Sequence, residues 1–551
     1  MDHEGGDWQQ SMPACFSRAP VFDSGRKDMR MGTHGYTRRQ FIEFMGAGLA
    51  TAAAPQFGAT GTKPERTPNI LVIMSDEHNA GVLGCAGNEI IRTPNLDALA
   101  GRGVVFENCY CNSPLCVPSR LSFTSGKYAS RVGAWSNDCW LPSADYPSLP
   151  GILKAAGYEA FLCGKMHYDV TRRYGFTEIG GEMNQSVKTG RGSRRAPDDL
   201  KPVPGISERF QNFHAGDTSS GMEHDRRVSA GTLEFLRNRK GSEAPFLLLA
   251  GYIAPHFPLI VPQKYWDAYR GKVPPPIIPE GFLDALPLNY RHLRIGFNVE
   301  DVPEDVVRKG RELYYGLVQW LDEEIGKVLA CLPDSEVADN TVVIYTADHG
   351  ENMGEHGLWW KNCLYDSAAR VPLIISWPAR WNGGQRRTQV CSLVDVVQTI
   401  AELCGAKAPQ DWNGDSMVHW LDDAAARWKD LAVSEYYGHN IASGYAMVRI
   451  GSFKYVYHTP ADDAHPAQRE LYDLSKDPGE FHNLAGRPEY AERGAAMHAT
   501  LVNELGEDPN RTEQRCRADY ARGYVRDDGR TKKEKKSEKK TRHPDSSGSE
   551  T

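Results

Sequence analysis

Apolar and polar positions along the chain fall into blocks that predict strands separated by helices. Asn69-Ile70-Leu71-Val72-Ile73-Met74 is an almost unbroken apolar run, and it ends abruptly in Ser75-Asp76-Glu77-His78. Apolarity without period-two alternation marks a strand covered on both faces, as in a parallel sheet. Thr341-Val342-Val343-Ile344-Tyr345-Thr346 has the same character and ends in Ala347-Asp348-His349-Gly350. Both segments set acidic side chains at the carboxyl end of a buried strand, where open α/β sheets bind their ligands. Helical spacing over residues 148–156 and 303–329 alternates with strand-like runs at 158–162, 246–249 and 371–375. The pattern predicts α/β architecture over residues 67–420.

From Leu431 the texture changes to short alternating runs. Residues 445–450 and 453–458 are joined through Gly451-Ser452 in the manner of a hairpin, and 488–505 has helical spacing. Residues 421–510 are expected to form a small antiparallel sheet with one helix. Two stretches, 180–221 and 274–300, carry Gly, Ser, Arg and Pro in place of periodic apolar residues and are expected to be functional loops. Residues 511–551 contain a Lys/Arg/Glu run followed by Ser and Gly, the composition of a disordered tail.

Composition narrows the functional classes. The 551 residues are 40% hydrophobic and 25% charged, with a formal net charge of −7, so a globular protein is expected and no global attraction to nucleic acid. The 12 cysteines are scattered, with no metal-binding Cys-x-x-Cys pair. Cys109 and Cys111 stand near enough in sequence to be candidates for bridging. The partner is expected to be a small molecule; the oligomeric state is left open.

The most specific local motif is Cys116-Val117-Pro118-Ser119-Arg120, followed by Leu121 and then Ser125-Gly126-Lys127. It resembles the Cys-x-Pro-Ser-Arg motif of the sulfatase family, in which a maturation enzyme oxidises the cysteine to formylglycine. Gly164-Lys165-Met166-His167, Pro255-His256-Phe257-Pro258 and Lys361 in Gly357-Leu358-Trp359-Trp360-Lys361 are similar to further elements of that family. So are Arg92-Thr93-Pro94-Asn95 early in the chain and Leu471-Tyr472-Asp473-Leu474 late in it.

The resemblance implies an alkaline-phosphatase-like fold: a large mixed, mostly parallel sheet flanked by helices, with a smaller C-terminal antiparallel sheet and helix. It implies that Asp76, Glu77, Asp348 and His349 hold one divalent cation. Their oxygen-rich donor set suits calcium first, with magnesium or manganese behind it. Glu77 and His349 depart from the aspartate and asparagine of better-known members, in a manner similar to choline sulfatases and phosphonate monoester hydrolases. Arg120 would then orient the formylglycine, Lys165 and Lys361 would bind sulfate oxygens, His167 would accept a proton and His256 would protonate the leaving group.

The expected reaction is hydrolysis of a sulfate monoester to alcohol and sulfate. A phosphonate monoester or phosphodiester hydrolase and an inactive sulfated-glycan-binding homologue are the alternatives. Choline sulfate, aryl sulfates and sulfated sugars all remain open as substrates, with Trp359 or Trp360 a candidate for facing a quaternary ammonium. Residues 1–66 contain Thr37-Arg38-Arg39-Gln40-Phe41-Ile42 before a weakly apolar run through Ala54, which resembles a twin-arginine export signal and implies a periplasmic destination.

Overall fold

In the computed structural model the described residues are 67–169, 171–184 and 194–522; the export-signal reading and Cys15 lie outside them. The strands in chain order are β1 (Asn69–Asp76), β2 (Val104–Tyr110), β3 (Glu159–Gly164), β4 (Thr177–Glu178), β5 (His214–Ala215), β6 (Phe246–Pro255), β7 (Ile260–Val261) and β8 (Thr341–Ala347). They continue with β9 (Arg370–Val371), β10 (Leu373–Ser376), β11 (Gln385–Ser392), β12 (Leu431–Tyr436), β13 (Tyr445–Ile450), β14 (Phe453–His458) and β15 (Gln468–Asp473).

The large sheet has the order β11-β2-β10-β8-β1-β6-β3-β4, with β9 paired to β2. β1 runs parallel to both of its neighbours, Ile70 pairing with Val342 on one side and Leu247 on the other. β10 is antiparallel to β8 and β2, so the sheet is mixed and mostly parallel. Residues of β1 alternate between two cores. Ile70, Val72 and Met74 join one that includes Val117 and Leu121, while Leu71 and Ile73 join another that includes Leu313, Leu317 and Leu321. Helices cover both faces, which is why β1 and β8 could be read as unbroken apolar runs.

The second sheet is an antiparallel meander of β12 to β15, and β13 and β14 have the bounds read from the sequence. The helix Ala491–Leu505 buries Met497, Leu501 and Leu505 in the same cluster as Val433, Val448 and Leu471 of this sheet.

Two expectations need correction. The stretch 274–300 contains the helix Leu288–Gly296, with Tyr290, Leu293 and Ile295 buried. The presumed tail begins as helix, Pro509–Arg522, anchored by Thr512, Glu513 and a fully buried Cys516. A few buried contacts suffice to dock a helix whose other positions are charged. No bridge forms at Cys109 or Cys111, since every cysteine among the described residues is free.

Candidate active site

The site lies at the carboxyl ends of β1 and β8. Asp76 is the last residue of β1, and Asp348 follows β8 with its backbone N–H bonded to the Ser75 carbonyl at 3.2 Å. Parallel pairing of adjacent strands therefore brings both acids together. Arg120 joins them: Nε donates to Asp348 Oδ2 at 2.7 Å and Nη2 to Asp76 Oδ2 at 2.9 Å, with all three side chains fully buried. Its Nη1 donates to the Lys165 carbonyl at 2.6 Å. Each nitrogen of the guanidinium fork is thus used to hold separate segments in register.

Cys116 opens the helix Cys116–Ser125, whose residues are all buried. Leu115 before it is extended and offers no side-chain cap, so the first turn keeps its N–H groups for an anion or a neighbouring acceptor. Asn137 Oδ1 accepts from the Val117 N–H at 3.0 Å, and Ser119 Oγ donates to the Asp348 carbonyl at 2.6 Å. Gly126 ends the helix at φ 67, with the Trp412 ring 2.3 Å from where a Cβ would stand. Only glycine meets both conditions.

Around the Cys116 sulfur lie His349 Nε2 at 3.3 Å, Lys361 Nζ at 3.4 Å and Asp76 Oδ1 at 3.7 Å. Lys165 Nζ pairs with Asp76 Oδ2 at 2.6 Å, and Lys361 Nζ with Glu77 Oε2 at 3.2 Å. His256 Nδ1 donates to the Phe257 carbonyl at 2.6 Å, which leaves Nε2 facing Glu77 Oε2 at 3.3 Å. His167 is held at φ 62, and its buried Nδ1 has no partner among the described residues. All ten residues singled out by sequence reside in or beside this one cluster.

Charge is unevenly shared. Burial opposes ionisation of Asp76, yet Lys165, His256, Arg120 and Lys361 together hold its carboxyl well below the usual range. Burial instead pushes Glu77 up to about 8, with Lys361 pulling against it and Glu351 adding to the rise. Burial and then Asp76 push the Cys116 thiol up to about 12.

The donors fit a cation. Asp76 Oδ1, Asp348 Oδ1 and His349 Nε2 form a buried set with Cys116, at separations of 3.6 Å for His349 to Asp348 and 3.9 Å for His349 to Asp76. Donors this close to one another would hold one cation between them, with the remaining ligands left to water or substrate. His349 Nδ1 donates to the Gly350 carbonyl at 3.0 Å and so fixes the tautomer with Nε2 free to ligate. Glu77 Oε1 is a buried acceptor with no partner among the described residues. Its carboxylate turns toward Lys361 and His256 and groups with Asp76 and His256, not with Asp348 and His349.

The cluster forms the floor of a cavity of about 290 Å³ whose lining includes Cys116, Lys165, His167, His256 and Lys361. Sequence reading missed Arg209, Asn137, Asn362 and His439, which line the same cavity. Asn362 follows Lys361 directly, but Arg209, Asn137 and His439 stand in segments without a motif, and the four meet only in the fold. Trp359 and Trp360 are 3% and 1% exposed, packed on Phe210 and, for Trp360, also on Phe297.

An anion-lined floor ringed by lysines and histidines, at strand ends of a mixed α/β sheet, defines a hydrolase for tetrahedral oxyanion esters. Residues 68–406 match the Sulfatase family and residues 354–507 the family described as N-sulphoglucosamine sulphohydrolase, C-terminal. The chain belongs to the sulfatase family, and is a sulfuric ester hydrolase. It is 31% identical to the choline-sulfatase of Rhizobium meliloti over 462 residues, covering 79% of this chain and 85% of that protein. The solved structure of BT4656 in complex with its substrate D-glucosamine-2-N,6-O-disulfate matches with a TM-score of 0.63 and 23% identity, over 81% of this chain and 99% of that one. The phosphonate monoester hydrolase of Agrobacterium radiobacter matches with a TM-score of 0.66 and 21% identity, over 80% and 95%. The two structures support the fold read from the sequence.

Proposed function

We propose that the enzyme hydrolyses a sulfate monoester through a formylglycine made from Cys116 by a maturation enzyme. The observation that carries this reading is the position of Cys116: first residue of a buried, uncapped helix, with Lys361, His349 and Asp76 around its sulfur on the cavity floor. One hydroxyl of the hydrated aldehyde loses its proton to solvent and attacks sulfur as the alkoxide, and the bond from sulfur to the leaving oxygen breaks. His256, protonated at Nε2 as the imidazolium while Nδ1–H stays on the Phe257 carbonyl, gives that oxygen its proton and regains one from solvent between turnovers. His167 then takes the proton of the second hydroxyl; the carbon–oxygen bond to sulfate breaks, the aldehyde re-forms, and water rehydrates it.

Lys165 and Lys361 bind the sulfate oxygens, and Arg120 keeps Asp76 and Asp348 in position. Asp76, Asp348 and His349, with Glu77 beside them, would hold one divalent cation. Calcium suits the oxygen donors and would supply positive charge against the developing anion. A sulfated carbohydrate is the substrate class we favour, consistent with the sugar disulfate carried by BT4656.

The twin-arginine segment supports export to the periplasm, and Arg38→Lys with Arg39→Lys should retain the precursor in the cytoplasm; unchanged export would refute this. For the reaction itself, mass spectrometry of the Cys116 peptide from the native host should find formylglycine, and kcat/KM should be greater for an aryl sulfate than for the matching aryl phosphonate ester. The reverse preference would favour the phosphonate hydrolase reading. An unmodified cysteine without turnover would favour a binding protein.

A further inference from the structure

Arg209 enters the cavity from the short 3-10 turn Glu208–Asn212, within the stretch 180–221. Its guanidinium carbon lies 4.4 Å from the ring centroids of both Phe257 and Trp360, and 5.4 Å from that of Phe297. Aromatic faces from three separate segments clamp one cation in a fixed place. Among the described residues no carboxylate is within ion-pair distance of it and no acceptor hydrogen-bonds it. The acids that act on it from further off are committed elsewhere: Glu77 to Lys361, and Glu351 to the N–H groups of Met353 and Trp360 at 2.8 and 2.6 Å.

A half-buried guanidinium held among aromatic rings without a counter-ion is only partly compensated, and a ligand that brings the missing charge is favoured there. Arg209 is not needed for the reacting sulfate, which Lys165 and Lys361 would flank in the proposed reaction. We propose that Arg209 binds a second anionic group of the substrate, a carboxylate or a further sulfate carried by the alcohol that leaves. This rests on the sulfatase reading and sharpens it. The planar fork matches either group in two parallel hydrogen bonds. A cavity of about 290 Å³ is near the small end of ligand pockets and suits one sugar-sized group.

The same geometry disfavours choline. The faces of Trp360 and Phe257 that would receive a quaternary ammonium already carry Arg209, and Lys165 and Lys361 add further positive charge to the lining. The 31% identity to a choline-sulfatase therefore does not extend to what this cavity selects.

The test compares formylglycine-containing wild type with Arg209→Gln and Arg209→Lys on four substrates: a neutral monosulfated hexose, the corresponding disulfated hexose, a sulfated uronic acid and choline sulfate. Wild type should prefer the disulfated hexose or the uronate, the stronger of the two identifying the second anion. In Arg209→Gln the ratio of kcat/KM for that substrate to kcat/KM for the neutral hexose should fall about 10- to 100-fold, chiefly through KM, the size of one lost charge-assisted pair. Arg209→Lys should recover part of it. Structural damage would lower both terms and leave the ratio in place. A wild-type preference for choline sulfate or the neutral hexose, or a ratio unmoved in both variants, overturns the inference while leaving the sulfatase reading intact. No turnover of any sulfate ester overturns both.

Discussion

Nε2 of His349 lies 3.3 Å from the sulfur of Cys116. A nitrogen suited to ligating a cation thus touches the sulfur whose place the aldehyde oxygen would take. Chelation should consequently abolish turnover and lower the melting temperature, and calcium should restore both. At a hundredfold excess over Kd the ion would add about 2.7 kcal/mol. His349→Ala should weaken the calcium response in calorimetry as well as in activity. A protein shown to be metal-free that keeps its activity and melting temperature would refute the cation assignment.

Arg120 supports the site electrostatically before any ligand arrives. Replacing it with alanine leaves Asp76 and Asp348 buried without their bridging charge, and loss of one partner of such a pair costs about 3–5 kcal/mol. Arg120→Ala should therefore unfold at lower denaturant than wild type when chelator is present, and calcium should recover part of the loss. Arg120→Lys keeps the charge but cannot reach both acids and the Lys165 carbonyl together, so it should fall between the two. Equal midpoints for all three proteins in chelator would count against this account.

How much was legible follows from what each signal requires. β1 and β8 announce themselves because burial on both faces demands unbroken apolar sequence, and the acids after them fall where parallel strands end. Cys116 to Arg120 is contiguous, so a short motif carries it. Arg209 had no such signal: its meaning depends on Phe257, Phe297 and Trp360, which only folding gathers. Those contacts also place Arg209, and not an open site for a quaternary ammonium, over the Trp360 ring. The helix Pro509–Arg522 was hidden by a charged composition in which few positions are buried.

Away from the site, Glu435 on β12 should make stability depend on pH. Its Oε1 accepts from the Ser130 N–H at 2.7 Å, its buried Oε2 has no partner among the described residues, and burial pushes the carboxyl from 4.5 to about 7 despite Ser130, Arg515 and Arg131. Between those values the folded state holds a proton that the unfolded state has released, so stability falls as pH rises, by about 3 kcal/mol in all. Glu435→Gln keeps the shape without the titration. Denaturation midpoints measured from pH 5 to 8 should show a shallower decline in the variant; parallel declines would dismiss Glu435 as the cause.

The decisive test of mechanism is Cys116, because the proposed route for releasing sulfate depends on two hydroxyls on one carbon. Cys116→Ala should remove turnover while leaving folding and calcium binding nearly intact, since it deletes one sulfur at the head of a helix fixed by Ser119, Arg120 and Gly126. Cys116→Ser separates attack from release. Its single hydroxyl can still meet the sulfate held by Lys165 and Lys361, but the ester it forms has no second hydroxyl from which His167 can draw a proton. One slow turnover and a sulfated serine, visible as an added sulfate mass on that peptide, are expected. Repeated turnover by the serine variant, or by wild type shown to carry only unmodified cysteine, would mean that sulfate leaves by direct attack of water on sulfur and that formylglycine is not required.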